Sequence, residues 1–577
     1  MNIGKENGIT LIAIVITIIV LLILAGVSIA MLTGDNGILT QAQRAKEETE
    51  RAAQEEQEIL NSYEDYMKGT SGGQWDENKK VNTPRLVQGM TEVSFELPEG
   101  TNKGETVKKG DADFDENNWY DYEKSEWANA VTQDGSYWVW IPRFAYKITY
   151  NNSSDKSQGG KIDVKFLIGT TDKYYDDEGN IQTAKRAKSK TEEVDTTSDY
   201  YVHPAFTDES NIDYANGGWD KEIPGIWVAK FEAGFASGNN NALIKSSSVN
   251  YSQDTVWVYD IENGGKGGYG PARNWLDGIY GKNITAIKYP TFQPVTYAMN
   301  YINVSDRYDI SRVLTESGNI YGLSSQSTDS HLMKNSEWGA VAYLSWSEYG
   351  ANKVEPYKNN INLNSGGKQR TDSEGRTGID SVYVVTGLTT KSEEEKIITK
   401  NDLEEINKRN GNTETNEVYV WDQEEGQKAS STLNMYGIYD LNGGGFDLTA
   451  AYIANDSEYL MERGESMTYE NGKLKTKSTK YTTVYPYDSN NDNVSSNYAL
   501  NKYIYGDAIR ETSSNASIDV GMAWNGDASG GPYLVNAFFN RGGGLGSGFK
   551  MSGLFNFGQN SGDGFCNHGF RAVLIPF

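Results

Sequence analysis

Three histidines, His203, His331 and His568, and one cysteine, Cys566, are the chain's whole supply of imidazole and thiol. That is too little for a zinc site built from Cys and His ligands. It also leaves little material for a Ser-His-Asp or Cys-His nucleophilic centre. Cys566 and His568 stand two apart, so on a strand they share one face and could pair as thiol and base. No Asn or Asp that would orient this imidazole can be identified in the sequence. Oxygen ligands fare no better. Asp111-Ala-Asp113-Phe-Asp115-Glu-Asn117 has the odd-position carboxylates of a calcium loop, but position six is Glu116 rather than Gly and position twelve is Tyr122 rather than Glu. Asp488-Ser-Asn490-Asn-Asp492 fails in the same way, and both read as solvated loops. Gly264-Gly-Lys-Gly-Gly-Tyr-Gly270 lacks the Gly-Lys-Ser/Thr ending of a phosphate loop. The expected function is therefore binding and not catalysis, with no cofactor.

Composition points the same way. Lys+Arg 53 against Asp+Glu 79 gives a net charge of −26, opposite to the basic footprint that nucleic acid requires. A single cysteine excludes an intrachain disulfide, so a secreted fold must rely on a large core or belong to a cell that seldom uses disulfides. The 13 Trp and 38 Tyr supply rigid amphipathic contact area, although most of the Trp is expected in the core. At 577 residues the chain exceeds one ordinary domain.

The elements that would carry these residues change character along the chain. Ile9 to Leu32 carries no charge and, at ~1.5 Å per residue, is long enough to cross a hydrocarbon core of ~30 Å. After the break at Thr33-Gly-Asp-Asn-Gly37, residues 38–68 predict a solvated stalk helix with Glu47 and Arg51 at i,i+4 spacing. Gly69-Thr-Ser-Gly-Gly73 reads as a linker. Beyond it come short β-type runs: Tyr137–Ile141, Val164–Ile168, Gly225–Ala229, Val418–Trp421 and Phe570–Leu574. Helical spacing is expected only at 336–349 and 291–302. Polar stretches near 100–130, 180–200, 350–415 and 455–515 read as insertions.

A short charged leader ending at Gly8, followed by Ile9-Thr-Leu-Ile, resembles the leader of type IV pilins and pseudopilins. That resemblance implies cleavage between Gly8 and Ile9 by a prepilin peptidase and a single-pass membrane location with the head outside, on a Gram-positive type of surface. The family's glutamate five residues into the mature chain is replaced by Ala13, which favours anchoring and display over filament assembly.

Further on, Trp138-Val-Trp-Ile-Pro142, Val202-His-Pro204, Gly225 to Glu232, Glu337 to Tyr343, Tyr436-Gly-Ile-Tyr-Asp-Leu-Asn-Gly443, Arg541-Gly-Gly543 and Gly569-Phe-Arg571 follow one another in order. Together they resemble the C-type-lectin-like fold of the formylglycine-generating enzyme (sulfatase-modifying factor) family. That enzyme's copper chemistry needs two neighbouring cysteines, and Cys566 stands alone. Its Asn-Val-Trp-Glu-Trp run is replaced by Gly444-Gly-Phe-Asp-Leu448, which leaves Asp447 as a carboxylate for calcium without further support. The variable proteins of diversity-generating retroelements resemble the chain more closely. In those, side chains between Arg-Gly-Gly and Gly-Phe-Arg vary on a fixed backbone and contact ligand.

The resulting expectation is an α+β protein with a long N-terminal transmembrane and stalk helix and a C-type-lectin-like domain with large insertions. Its parts are a leader (1–8), a membrane helix (9–32), a stalk (38–68), a linker (69–74), an extension (75–136) and a ligand-binding domain (137–577). Asn540, Leu545, Phe549, Phe555, Phe557, Gln559, Phe565 and His568 are the expected ligand contacts, with Leu554 among the intervening apolar residues. Arg541 and Arg571 are expected to be structural, since five fixed donors tie loop carbonyls together. The expected ligand is a glycan, a cell surface or a phage. The alternatives are a formylglycine-generating-type enzyme or a structural minor pilin.

Overall fold

A computed structural model describes the chain over residues 72–577, apart chiefly from 209–215, 236–256, 260–268, 272–288, 365–368, 372–376, 392–395, 407–416, 518–521, 545–551 and 565–566. It also describes Ile16, Ile18, Lys46 and Thr49, all four helical. The chain divides into two compact units, residues 1–67 and 68–577. The Gly8/Ile9 pair, and all but those four residues of the expected 9–32 and 38–68 helices, lie outside the described residues.

The expected α+β class is corrected. The architecture is mostly β, at 31% strand and 17% helix. Among the described residues no helix is long and apolar enough to cross a membrane. The physical reason for the β character lies in the head, where short alternating runs rich in Val, Thr, Tyr and Trp are separated by Gly and Asn turns.

The larger sheet is wholly antiparallel. Its strands are β1 (Met90–Glu96), β2 (Glu105–Lys108), β3 (Asn129–Thr132), β4 (Tyr137–Pro142), β5 (Gly225–Ala229) and β6 (Thr328–Leu332). The second sheet contains β7 (Phe446–Ile453), β8 (Thr483–Tyr485), β9 (Phe538–Arg541), β10 (Phe557–Asn560) and β11 (His568–Gly569), and the C-terminal strand β12 (Ala572–Pro576) returns to the first. The spatial order of the larger sheet is β6-β12-β5-β4-β3-β1-β2. The chain's last strand therefore sits inside the sheet, pairing Val573 with Val228 on one side and His331 on the other. Trp138, Trp140 and Trp227 are fully buried, so these tryptophans pack the interior.

Two helices matter here: α1 (Val304–Arg312) and α2 (Asn335–Trp346). The expected helix over 291–302 is not formed. Thr291 instead exchanges hydrogen bonds with Gly234, and Tyr297–Ala298 pairs with Gly234–Phe235. Pro290 and Pro294 disfavour helical backbone at the residues before them. Helix α1 begins only after Asn303, whose side chain accepts from the Asp306 N–H at 2.8 Å.

Helix α2 forms close to where expected, and every residue in it is buried. A helix apolar nearly all round belongs in an interior. Its polar edges find partners: Trp338 donates to the Leu554 carbonyl at 2.9 Å, Tyr343 to Glu511 at 2.9 Å and Trp346 to the Gly160 carbonyl at 3.0 Å. Gly339 is a point of close approach, and a Cβ there would overlap the Gly506 carbonyl oxygen. Gly339→Ala is accordingly expected to lose about 1–3 kcal/mol through overpacking, measured by denaturant unfolding.

Candidate functional site

The Gly-rich C-terminal segment leaves and rejoins the second sheet at one place. Asp447 of β7 pairs with Arg541 of β9 on one side and with Gly569 of β11 on the other. Between these two pairings the chain leaves β9 at Gly542, re-enters the sheet as β10 antiparallel to β9, and closes the neck at β11. Gly542 turns the chain out of β9 with φ 78°, a conformation that favours glycine, and a Cβ there would press on the Leu441 carbonyl at 2.8 Å.

Two buried arginines fix this neck. Arg571 donates through Nε to Asp447 Oδ2 at 2.7 Å, through Nη1 to the Ala229 carbonyl at 3.2 Å, and through Nη2 to the Tyr439 and Asp440 carbonyls at 3.1 and 3.2 Å. It thereby ties β5, β7 and the Tyr436–Gly443 segment to the strand that ends the chain. Arg541 donates to the carbonyls of Asp507 at 2.8 Å and Ala508 at 3.1 Å. Burial pulls its pKa down to about 10. Beside them Glu232 accepts from the Gly445 N–H at 2.9 Å. Burial, with Asp447 and Asp440 adding like charge, pushes the Glu232 carboxyl well above the usual carboxylate range. Asp440 in turn accepts from the Asn359 amide at 2.9 Å and the Gly387 N–H at 3.0 Å.

The expected ligand contacts separate into three groups. Phe555 and Phe557 are 0% and 1% exposed, as is Leu554 at 0%. Phe555 packs edge-on against Trp346 at 5.2 Å, and Phe557 stacks on Tyr498 at 6.4 Å. These rings fill the interior below the segment, because the α2 tryptophan face leaves room that only large apolar groups occupy. Asn540 and His568 are also nearly buried. Asn540 donates to the Gln559 carbonyl at 3.3 Å, and His568 Nε2 lies 3.1 Å from the Asn560 amide. Burial first, then the Arg307 charge, pull the His568 pKa down to about 4, so its ring is neutral at physiological pH. Gln559 alone is half-exposed. Leu545, Phe549, Phe565 and Cys566 lie outside the described residues.

A carboxylate pair that gives no local sequence signal supports the same segment. Glu355 accepts the Leu554 N–H at 2.8 Å and the Asn525 amide at 2.5 Å, while Asp527 accepts the Phe555 N–H at 2.9 Å. Burial pushes both carboxyls up, and the charge of Glu355 pushes Asp527 further. The two grip the turn at 552–556 from below. They are far apart in sequence, so only the fold brings them together.

Catalytic chemistry finds few anchors. His331 Nε2 is 2.9 Å from Glu337 inside the core, and His203 Nδ1 accepts the Ala205 N–H at 3.2 Å. Among the described residues no group of three or more His, Cys, Asp or Glu side chains is placed to hold a metal ion. Asp447, the carboxylate left for calcium, spends one oxygen on Arg571. No family model matches the chain, and a search of curated proteins finds none similar to it.

Proposed function

We propose that the chain is a ligand-binding protein of the receptor or adhesion type, with the segment between Arg541 and Gly569 as its contact surface. One observation carries the reading: both ends of that segment are paired to Asp447 on a buried, arginine-locked frame. Apart from the buried Leu554, Phe555, Phe557 and His568, side chains between two such fixed ends change without removing the frame, which is how loop-borne binding sites work. The ligand is extracellular: a cell surface, a glycan displayed on it, or a phage. The chain has no catalytic role of its own in this reading.

The test is binding of the full chain to a panel of whole bacterial cells and phage particles. Exchanging Leu545, Phe549, Gln559 and Phe565 together for Ala is expected to weaken binding at least about tenfold, or ~1.4 kcal/mol. Binding that survives all four exchanges unchanged removes the segment from the contact surface.

A further inference from the structure

A concave surface lies at the start of the head and shares no residue with the C-terminal segment. Trp75–Asp76 and Val81–Asn82 form a small hairpin, and β1 runs close by with Glu92. Between them opens a cleft of about 460 Å³ whose lining includes Trp75, Trp119, Gln74, Asp76, Glu77 and Glu92. Small-ligand sites usually occupy roughly 300–1,000 Å³.

Trp75 is the open aromatic wall, and Trp119, 8% exposed, closes the floor. The Trp119 indole donates to the carbonyls of Asn129 at 2.8 Å and Val93 at 3.1 Å, which ties its ring to the sheet. Trp75 is half-buried and leans on Tyr175, with centroids 5.8 Å apart. Rigid rings of this kind offer large apolar area at low entropic cost.

The carboxylates decide the ligand's charge. Three of them in the lining repel an anion. Each, however, already has a partner: Glu92 pairs with Lys109 at 2.7 Å, Glu77 with Lys80 at 3.3 Å, and Asp76 accepts the N–H groups of Asn78 at 2.8 Å and Lys79 at 3.2 Å. A cationic ligand would have to compete with those lysines. What the oxygens still offer is spare acceptor capacity, since an ionised carboxylate accepts about four hydrogen bonds. Hydroxyl donors use that capacity, and hydrogen bonds to ionised acceptors are the stronger kind. A molecule with several hydroxyls around apolar ring faces matches both the walls and the acceptors.

We propose that this cleft is a binding site for a neutral oligosaccharide, a ring face against the half-buried Trp75 above a floor to which the buried Trp119 contributes, and its hydroxyls on Asp76, Glu77, Glu92 and Gln74. The site is separate from the segment after Arg541.

The test uses the full chain on an array of neutral, sialylated and amino-sugar glycans, with titration calorimetry on the strongest neutral binder. Trp75→Ala is expected to weaken that binding at least tenfold. Because Trp75 also packs on the core, the double variant Gln74→Ala with Glu77→Gln provides the second arm. It should lower affinity at least threefold without shifting the melting temperature. The fourfold C-terminal variant should bind the neutral sugar as the unaltered protein does. No neutral glycan bound, a preference for sialylated or amino sugars, or neutral binding that survives both cleft variants each overturns the proposal. If the C-terminal variant alone abolishes sugar binding, the cleft proposal fails and the function proposed for the segment stands.

Discussion

Arg571→Met is expected to leave the head unable to fold to its native stability, with a loss of about 3–5 kcal/mol. The side chain keeps much of its volume in this exchange, so the effect is electrostatic. Asp447 would be left 2% exposed with only the Arg307 charge to offset it, and three carbonyls would lose their donor. An uncompensated buried charge is costly because neither water nor a partner stabilises it. The companion change Asp447→Leu removes the orphaned carboxylate, so Arg571→Met with Asp447→Leu should be more stable than Arg571→Met alone. Thermal and urea unfolding of the three variants check this. A single variant that melts with the unaltered protein would mean that the neck is not held by this pair.

Stability is also expected to rise as pH falls from about 8 to about 5. Burial raises Asp306 to about 8 and both Asp440 and Asp507 to about 6, and it pushes Glu232, Glu355 and Asp527 above the usual carboxylate range. A carboxyl whose pKa is raised by folding binds its proton more tightly in the folded state. Its contribution is complete below the unfolded pKa of about 4 and is lost as pH rises through the folded value. Four groups oppose this, among them the buried Lys334, which burial lowers to about 8. Burial lowers His203 to about 3 and His568 to about 4 and holds Lys230 well below the usual lysine range, so the folded state resists protonating them. The carboxyls outnumber these groups, and every tenfold gain in proton affinity on folding is worth about 1.4 kcal/mol, so a net gain of several kcal/mol is expected on acidification. Glu355→Gln should flatten the profile and raise stability at pH 8 by about 1–2 kcal/mol. Melting curves from pH 5 to 8 decide the matter, and a maximum at pH 8 would contradict it.

Much of the strand framework was legible in sequence. Trp138-Val-Trp-Ile-Pro142 and Gly225 to Ala229 read as strands because apolar β-formers crowd between turn residues, and they pair in register as β4 and β5. Helix α2 was legible from its spacing, with Glu337 accepting the Lys334 N–H at 2.8 Å at its start. Arg541 and Arg571 stood out because an arginine among glycines has carbonyls within reach. Residues 291–302 misled because helical spacing competed with two prolines. Phe555 and Phe557 misled for another reason: an apolar side chain between glycines looks the same whether the loop faces solvent or folds over the core. The Glu355–Asp527 pair is assembled from distant residues, and local sequence carries no trace of such a contact; the Trp75 cleft is built largely from one hairpin and was missed because its carboxylates and aromatics match no ligand motif.

The segment after Arg541 is tested most directly by exchanging, not deleting, its side chains. In this variant Leu545, Phe549, Gln559 and Phe565 become Tyr, Ser, Arg and Asn, and its binding profile across the cell and phage panel is measured beside its melting temperature. A changed set of partners is expected at an unchanged melting temperature, because the hydrogen bonds of Asp447, Arg541 and Arg571 are untouched and Gln559 pairs with β9 through its backbone. The same partners bound with the same strength would contradict it.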